Sequence, residues 1–388
     1  MEYLNHTSNA TASYDLEYEE GGNEEATEEV NAVTKIAIVG AYVIIFLFAL
    51  VGNSLIIHIV RTCGNLRKNP FNWLLVNTAA ADLVDVMTAS AFSIPYFLCG
   101  DCWVSGIFGT LLCKLIPFFL VVSICTSIWT LTVIAADRYL AIVCIGREPL
   151  SQKAVMRSIV AVWLFSGVVC SGQLYKFKLE LSEEMEPLCE PEWHEDEEIS
   201  TLLHKVEMIV RVIITYSLPL LIMAALYSLI AFHLRRHETP GSLSRRQKAF
   251  VKQVQKRRGV IKMMIITVTL FGVCWLPVHI NHIMAEFYFD TFDNIPRILI
   301  WLLSLFAHAN SAIHPWLFII FSENLRMETK RIFQILWCKK PSQLKDQNRG
   351  TSLVQGVGYF IQGAKDGTSK VEFLTSRYLT SSHSNTKL

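Results

Sequence analysis

Apolar residues in this chain are gathered into long runs, separated by shorter polar or charged segments. Seven of these runs reach about 20 residues, the length at which a helix crosses the hydrocarbon core of a bilayer. Their predicted bounds are residues 34–60, 71–98, 111–143, 154–174, 206–233, 260–289 and 295–321. The pattern predicts an all-α fold, a bundle of seven transmembrane helices.

The composition strengthens this interpretation. Of the 388 residues, 52% are hydrophobic and 18% are charged, and the mean hydropathy is +0.36. A soluble domain carries about 25% charged residues, because it must present a wet surface on all sides. We therefore expect a multi-pass protein of the plasma membrane.

The placement of charge predicts the orientation of the bundle. The first 34 residues hold nine acidic residues and neither Lys nor Arg, whereas the connection between the fifth and sixth runs is rich in both. Short connections rich in Lys and Arg stay in the cytoplasm, so the N-terminus is expected outside the cell and the C-terminus inside. No apolar signal region precedes residue 35, so the first run is expected to direct insertion.

Four regions follow from these patterns. Residues 1–34 are predicted to be an acidic, disordered extracellular tail, and residues 35–321 the transmembrane domain. Residues 322–338 have helical apolar spacing with basic residues between, which predicts an amphipathic eighth helix on the membrane surface, and residues 339–388 are predicted to be a disordered cytoplasmic tail. Asn5 and Asn9 are candidate glycosylation sites, and Cys338 is a candidate for palmitoylation.

Asp82 lies inside the second apolar run. An acid near the bilayer centre costs about 3 kcal/mol even on the lenient insertion scale, so its side chain is expected to face the bundle interior and to have partners there. Polar candidates on other runs are Ser123, Ser127, Asn310 and Ser311. Two interpretations stay open: an ion or proton site, and a neutral, hydrogen-bonded carboxyl group that joins helices.

The connection before the fifth run is strongly acidic. Residues 180–198 contain ten acidic residues and neither Lys nor Arg. With the acidic tail, this segment predicts an outer mouth that attracts cations and steers cationic ligands towards the protein. The alternative is a solvated acidic loop that serves only solubility.

A set of residues spread over the whole bundle carries a family resemblance. Its members are Asn53, Asp82, Cys113, Asp137-Arg138-Tyr139, Trp163, Cys189, Pro219, Tyr227, Phe271, Cys274-Trp275-Leu276-Pro277 and Pro315. In this order they make residues 35–338 resemble the rhodopsin-like (class A) G-protein-coupled receptors. The general character of the chain is similar to the neuropeptide receptor group, which includes tachykinin, galanin, neuropeptide Y and RFamide receptors.

The resemblance implies a role for each matching residue. Cys113 and Cys189 would form a disulfide, and Arg138 would be released towards the G protein on activation, with Tyr227 as its partner. The implied activation residues are Asp137, Arg138, Tyr139, Tyr227, Phe271, Trp275, Pro277, His314, Pro315 and Phe318. A sodium ion would be held by Asp82, Ser127 and Asn310. The family usually has Asn-Pro-x-x-Tyr where this chain has His314-Pro-Trp-Leu-Phe318, which leaves sodium binding open.

The resemblance also implies a ligand pocket. By position its lining would be Pro117, Leu120, Val121, Arg211, Trp275, His279, His282, Leu305 and His308. Leu120 stands where amine receptors carry an aspartate, and His308 stands where visual pigments carry a lysine, which argues against these two classes of receptor. The likeness to neuropeptide receptors, together with the acidic outer mouth, makes a basic neuropeptide the predicted ligand. Arg211 could capture a carboxylate of the ligand, or it could pair with Glu207 one turn earlier.

The predicted function is activation of heterotrimeric G proteins by an extracellular peptide, with arrestin and membrane lipid as further partners. No nucleic acid is expected to bind, and no cofactor is expected beyond the possible sodium ion. A seven-helix transporter or ion channel and a non-signalling decoy receptor are the alternatives. Catalysis is not expected, since no nucleophile, base and orienting group come together and the Cys99/Cys102 pair lacks a thioredoxin-like setting.

Overall fold

Helices form most of the part of the chain that the computed structural model describes, namely residues 32–99, 103–144, 150–181, 187–236, 245–288, 291–292 and 294–337. The helices are α1 (Ala32–Thr62), α2 (Gly64–Arg67), α3 (Pro70–Cys99), α4 (Gly106–Ile142), α5 (Gln152–Val169), α6 (Gly172–Lys176), α7 (Glu197–Val212), α8 (Leu218–Arg236), α9 (Arg245–Phe287), α10 (Arg297–Phe321) and α11 (Glu323–Trp337). Two strands, β1 (Phe177–Leu181) and β2 (Pro187–Pro191), pair as an antiparallel hairpin.

Seven helical segments among the described residues are long and apolar enough to cross a membrane. They are α1, α3, α4, α5 with α6, α7 with α8, α9 and α10. Large apolar side chains such as Leu47, Val160 and Leu221 are exposed on the outside of the bundle, where lipid is their natural solvent. The protein is therefore a multi-pass membrane protein, and the predicted seven-helix fold is confirmed.

The fifth and sixth segments begin earlier than predicted. Helix α7 starts at Glu197 instead of residue 206, and Asp196 caps it by accepting the N–H of Ile199 at 3.1 Å. Glu197 and Glu198 occupy its first turn, where negative charge is favoured by the helix dipole. Helix α9 likewise begins at Arg245, within the basic connection, instead of at residue 260.

The core of the bundle combines apolar packing with buried amides. Leu75, Ile128 and Phe318 are fully buried on three different helices. Asn53 donates from Nδ2 to the carbonyls of Ala49 and Ser311, at 3.0 and 3.1 Å, and thereby joins α1 to α10. Such bonds hold helices together because an unpaired polar group is costly inside a membrane.

The β1–β2 hairpin is fixed to the outer end of α4. Its register places Leu179 opposite Cys189, and a disulfide joins Cys189 to Cys113 of α4, which confirms the pairing implied by the resemblance. Lys114, the next residue of α4, donates from Nζ to the carbonyls of Leu174 and Phe177, each at 2.9 Å. The hairpin therefore has a defined position beside the mouth of the bundle.

The structure describes a helix, α11, directly after the seventh span. Leu325 is buried while Met327 and Phe333 are exposed, so the helix has an apolar outer surface. Its placement on the membrane surface stays a prediction. Asn5, Asn9, Cys338 and Cys102 lie outside the described residues, and so does nearly all of both predicted tails.

Candidate functional site

A row of aromatic and histidine rings runs along one face of α9. Phe271 and Trp275 are stacked with ring centroids 5.9 Å apart, His279 follows at 6.1 Å from Trp275, and His282 at 6.5 Å from His279. Spacings of three and four residues place them on one side of the helix. His308 of α10 meets the edge of Trp275 at 5.6 Å. Four of the predicted pocket residues thus form one continuous wall.

Tyr216 belongs to the same wall, although it is absent from the predicted set. Its ring lies 4.6 Å from that of His279, and its hydroxyl donates to the carbonyl of Gly272 at 2.9 Å. Tyr216 lies in a π-helical turn, Ile213–Ser217, that links α7 to α8. Pro219 follows this turn and cannot donate an N–H to it, which was the available sequence signal for irregular backbone here.

Charged side chains of α6 and α7 meet next to this wall. Glu207 accepts from Lys176 Nζ at 2.7 Å and from Gln173 Nε2 at 3.0 Å. Arg211, one turn further along α7, has its guanidinium 3.6 Å from the same carboxylate. The pairing of Arg211 with Glu207 is therefore present, but the acid is shared with Lys176. Neither Lys176 nor Gln173 was included in the predicted pocket.

The remaining predicted pocket residues are distributed over two places. Val121 lines a small cavity together with Arg211. Pro117 is buried in α4, and the carbonyl of Leu120 accepts from the hydroxyl of Ser123 at 2.8 Å. Leu305 packs against Ile38 and Tyr42 of α1, so its contacts are directed to the opposite side of the bundle.

Asp82 is fully buried, and both of its carboxylate oxygens have partners. Ser127 donates to Oδ1 at 3.0 Å, and Nδ1 of His314 lies 3.0 Å from Oδ2. Asn310, the third member of the implied sodium set, is buried with its Oδ1 unpartnered among the described residues. Asp82 thus joins α3 to α4 and α10.

A second buried carboxylate, Asp85, lies one turn further along α3 and was missed from the sequence. His308 Nδ1 approaches its Oδ1 at 3.1 Å, and the hydroxyl of Ser311 donates to Oδ2 at 2.7 Å. The sequence does indicate this position, because an acid three residues after Asp82 lies on the same helix face and its exposure to lipid would cost free energy. Two Asp–His pairs therefore link α3 to α10, and the outer one touches the pocket wall through Trp275.

The inner end of α4 holds Arg138 in place. Its guanidinium contacts the carboxylate of Asp137, with Nε at 3.0 Å, and its Cζ lies 4.3 Å from the ring centroid of Phe71. Asp137 is itself buried and also accepts the N–H of Leu150 at 2.9 Å. The hydroxyl of Tyr227 is buried without a hydrogen-bond partner among the described residues. Arg138 is thus paired with Asp137 here and is not bonded to Tyr227.

The outer rim carries the charge that the sequence predicts. Glu190, Glu195 and Glu198 are exposed, while Glu192 is paired with Lys178 of β1 at 2.5 Å. The hydrogen bond from Glu192 raises the pKa of Lys178, so this lysine stays positively charged at neutral pH. The rim is acidic, but part of its charge is neutralised by the hairpin itself.

A family model described as 7 transmembrane receptor (rhodopsin family) matches residues 52–318, more than half of the chain. The span includes Asp82, Arg138 and Trp275. The chain belongs to the rhodopsin family of seven-transmembrane receptors, a family of signalling receptors.

Several relatives are similar over most of this chain. The Tachykinin-like peptides receptor 99D of Drosophila melanogaster is 29% identical over 335 residues, which cover 84% of this chain and 58% of the fly protein. The QRFP-like peptide receptor of Branchiostoma floridae is 29% identical over 332 residues, covering 81% and 82%. The Galanin receptor type 1 of Rattus norvegicus is 27% identical over 315 residues, covering 79% and 85%. The chain thus spans less than two thirds of the fly relative.

Proposed function

We propose that this protein is a plasma-membrane receptor that binds an extracellular peptide and activates heterotrimeric G proteins, with its N-terminus outside the cell. The observation that supports this most directly is the disulfide-held hairpin beside a wall of Trp275, His279 and His282. The hairpin provides a polar rim and the rings provide an aromatic surface, so an extended ligand could contact both. Two relatives are named as peptide receptors.

The ligand that we propose carries at least one Arg or Lys. The exposed acidic rim creates a negative potential that accelerates the encounter with cationic ligands. Leu120 provides no carboxylate for a buried ammonium group, and a buried cation without a partner is costly. A peptide satisfies both conditions, because its basic groups stay at the hydrated acidic rim while an uncharged part reaches Trp275 and His279.

Signalling would follow from a shift between two helix arrangements. A ligand that binds one arrangement more tightly increases its population. Trp275 touches His308, and the His308–Asp85 and His314–Asp82 pairs connect α10 to α3 below it. We propose that this series of contacts transmits the change towards Arg138, where the G protein, and arrestin after it, would bind. Membrane lipid would surround the exposed apolar faces.

The direct test is a screen in transfected cells that records G-protein activation. The panel contains basic, acidic and amidated peptides and small amines, with mock-transfected cells as the control. We expect activation by at least one basic peptide. Activation by small amines alone would refute the peptide assignment, and ligand binding without any G-protein response would favour a decoy receptor.

A second arm tests the acidic rim. The triple variant Glu195→Gln, Glu197→Gln and Glu198→Gln should weaken peptide potency about tenfold and flatten its salt dependence, because exposed carboxylates attract a cationic ligand and salt screens this attraction over about 8 Å at physiological ionic strength. Asp196 is left in place because it caps α7. Glu328→Gln on α11 is the control for loss of a charge elsewhere. Unchanged potency in the triple variant would exclude the rim from ligand capture.

A further inference from the structure

The cluster of Lys176, Glu207 and Arg211 contains more positive than negative charge. Lys176 and Gln173 each donate a hydrogen bond to the carboxylate of Glu207. The nearest guanidinium nitrogen of Arg211 lies 3.6 Å from this carboxylate, beyond hydrogen-bond distance. No side-chain hydrogen bond of Arg211 is found in the part of the chain that the structure describes. One carboxylate therefore lies next to two cations, and the N–H groups of the Arg211 guanidinium remain available to a further acceptor.

Burial makes this excess significant. The side chains of Lys176 and Arg211 are 6% and 23% exposed. A charge so far from water is stabilised only by a partner of opposite sign. Glu286 of α9 acts on Lys176 at longer range, but it forms no ion pair within 4 Å among the described residues. Arg211 is thus the cation with the weakest local neutralisation.

Space for a further group exists at Arg211. A cavity of about 40 Å³ is lined by Val121, Gln173, Glu207, Arg211 and Thr215, among others. One water molecule needs roughly 10–15 Å³ of such volume, so the cavity accommodates a small planar group. A larger ring would not fit without movement of the helices.

Two further buried nitrogens, on the neighbouring wall of α9, have no partner. The Nδ1 atoms of His279 and His282 are buried and have no hydrogen-bond partner among the described residues. The ring of His279 lies 4.6 Å from that of Tyr216, the residue after Thr215 of the cavity lining, and the ring of His282 lies 6.5 Å from His279. Each ring can donate one hydrogen bond from a nitrogen. Arg211 therefore has an unused donor fork beside two rings that each have one nitrogen without a partner among the described residues.

We propose that Arg211, with Lys176, His279 and His282, forms a subsite for a carboxylate of the ligand. A carboxylate matches the guanidinium fork with two parallel hydrogen bonds, and it balances the excess cation. This inference rests on the proposed peptide receptor function and adds to it. The ligand carries basic groups for the rim and one acidic group, either its C-terminus or an Asp or Glu side chain, for the subsite.

The test uses the purified full-length receptor and short probes at millimolar concentration. The probes are N-acetyl-Phe-Leu as the free acid, the same dipeptide as its amide, and the amides of N-acetyl-Phe-Glu and N-acetyl-Phe-Gln. We expect a carboxylate probe to raise the Tm by about 2–4 °C, since ligand binding stabilises the folded state by mass action. The neutral probes should give less than about half of this shift. A shift with the free acid of N-acetyl-Phe-Leu indicates that the subsite binds a C-terminal carboxylate. A shift with the amide of N-acetyl-Phe-Glu indicates that it binds an acidic side chain.

Variants distinguish the subsite from general charge effects. Arg211→Gln should abolish the acid-specific shift, whereas Lys205→Gln, which removes a cation of the same helix that lies over Phe287, should retain it. If Arg211→Gln does not fold, Arg211→Lys serves instead, and it should reduce the shift because the planar fork is lost.

Three results would overturn the subsite: equal shifts with acid and neutral probes, no shift with any probe, or an undiminished shift when Arg211 is replaced. None of them affects the cell-based screen. A receptor that responds to peptides but fails the probe test disproves the subsite alone, whereas a response to amines alone disproves the peptide receptor function.

Discussion

At the scale of single residues, Gly52 shows how a missing side chain fixes the distance between two helices. A Cβ atom built at this position would lie 2.7 Å from Cγ of Pro315 and 3.0 Å from Nε1 of Trp316. The seventh-helix motif that departs from the family pattern thus packs directly against the backbone of α1. The Trp316 ring, stacked on Phe48 at 4.7 Å, is held there from its other side.

We therefore predict that Gly52→Ala destabilises the receptor by about 1–3 kcal/mol, as overpacking does in a tight core. The measurement is the thermal unfolding of the purified protein. Gly40→Ala is a matched control in the same helix, because its Cβ would meet no heavy atom within 4 Å. Equal melting temperatures for the two variants would show that α1 and α10 adjust to the added methyl group without loss of stability.

His314 occupies the place of a neutral amide beside a buried acid. Its Nδ1 lies 3.0 Å from one oxygen of Asp82 and Ser127 donates to the other, so each carboxylate oxygen already has a protein partner where sodium would bind. We predict that replacing sodium by a large organic cation changes agonist affinity by less than about twofold in the wild type, because a ligand shifts an equilibrium only by its differential affinity. His314→Asn should gain a larger sodium effect. Radioligand competition in both buffers provides the measurement, and identical sodium responses in the two proteins would contradict the prediction.

The two buried acids also show what sequence reasoning can reach at this scale. That Asp82 faces the interior, with Ser127 as a candidate partner, follows from the cost of an acid in the membrane. The residue pattern does not predict its contact with His314, which depends on how α3 and α10 face each other. Asp85 had the same signal and was passed over, and Ser311 was assigned to Asp82 but donates to Asp85. Helix rotation and side-chain rotamer decide between such neighbours, and neither is visible in the sequence.

At the scale of elements, the π-helical turn between α7 and α8 directs side chains of the fifth span. Trp129 of α4 donates from Nε1 to the carbonyl of Ile214 at 3.1 Å, which satisfies a backbone acceptor within the irregular turn. Tyr216, in the same turn, reaches across to Gly272 of α9. The turn thus lies directly between Arg211 and the ring wall of α9.

We predict that Trp129→Phe destabilises the protein by about 1–2 kcal/mol, because a part-buried carbonyl loses its donor while the aromatic contact with Phe165 is kept. Trp73→Phe is the matched control, since its indole also donates to a backbone carbonyl, that of Arg67, but at an exposed site. Thermal unfolding of both variants gives the comparison. A larger loss for Trp73→Phe would mean that the turn does not depend on Trp129.

The existence of the seven spans was predictable, but their ends were not. The sequence pattern starts the fifth span at residue 206 because a run of acids is typical of a loop. In the structure Glu197 and Glu198 form the first turn of α7, where negative charge is favourable. The strand β1 was also missed, although Phe177-Lys-Leu-Glu-Leu181 alternates apolar and polar residues, as strands do. The second strand has no such alternation, and its position depends on the disulfide and on pairing across the hairpin.

At the scale of the whole molecule, the outer pocket and the inner Arg138 lie at opposite ends of α4. Pro117 and Arg138 are separated by about 30 Å along the helix axis at 1.5 Å per residue. Between them, contacts among Trp275, His308, Asp85 and Ser311 connect the pocket wall to the middle of the bundle. Binding and signalling should therefore be separable by mutation.

We predict that Arg138→Ala abolishes G-protein activation while agonist affinity changes by less than about threefold, since a truncation about 30 Å away removes no contact with the ligand. Asp137 and Phe71 hold the guanidinium in place, and alanine removes the group whose release we propose as the activating step. Arg157→Ala, an exposed base on α5, is the control and should signal normally. Surface expression, agonist binding and G-protein activation are measured on the same cells. Full signalling by Arg138→Ala at equal surface expression would show that another group performs this role.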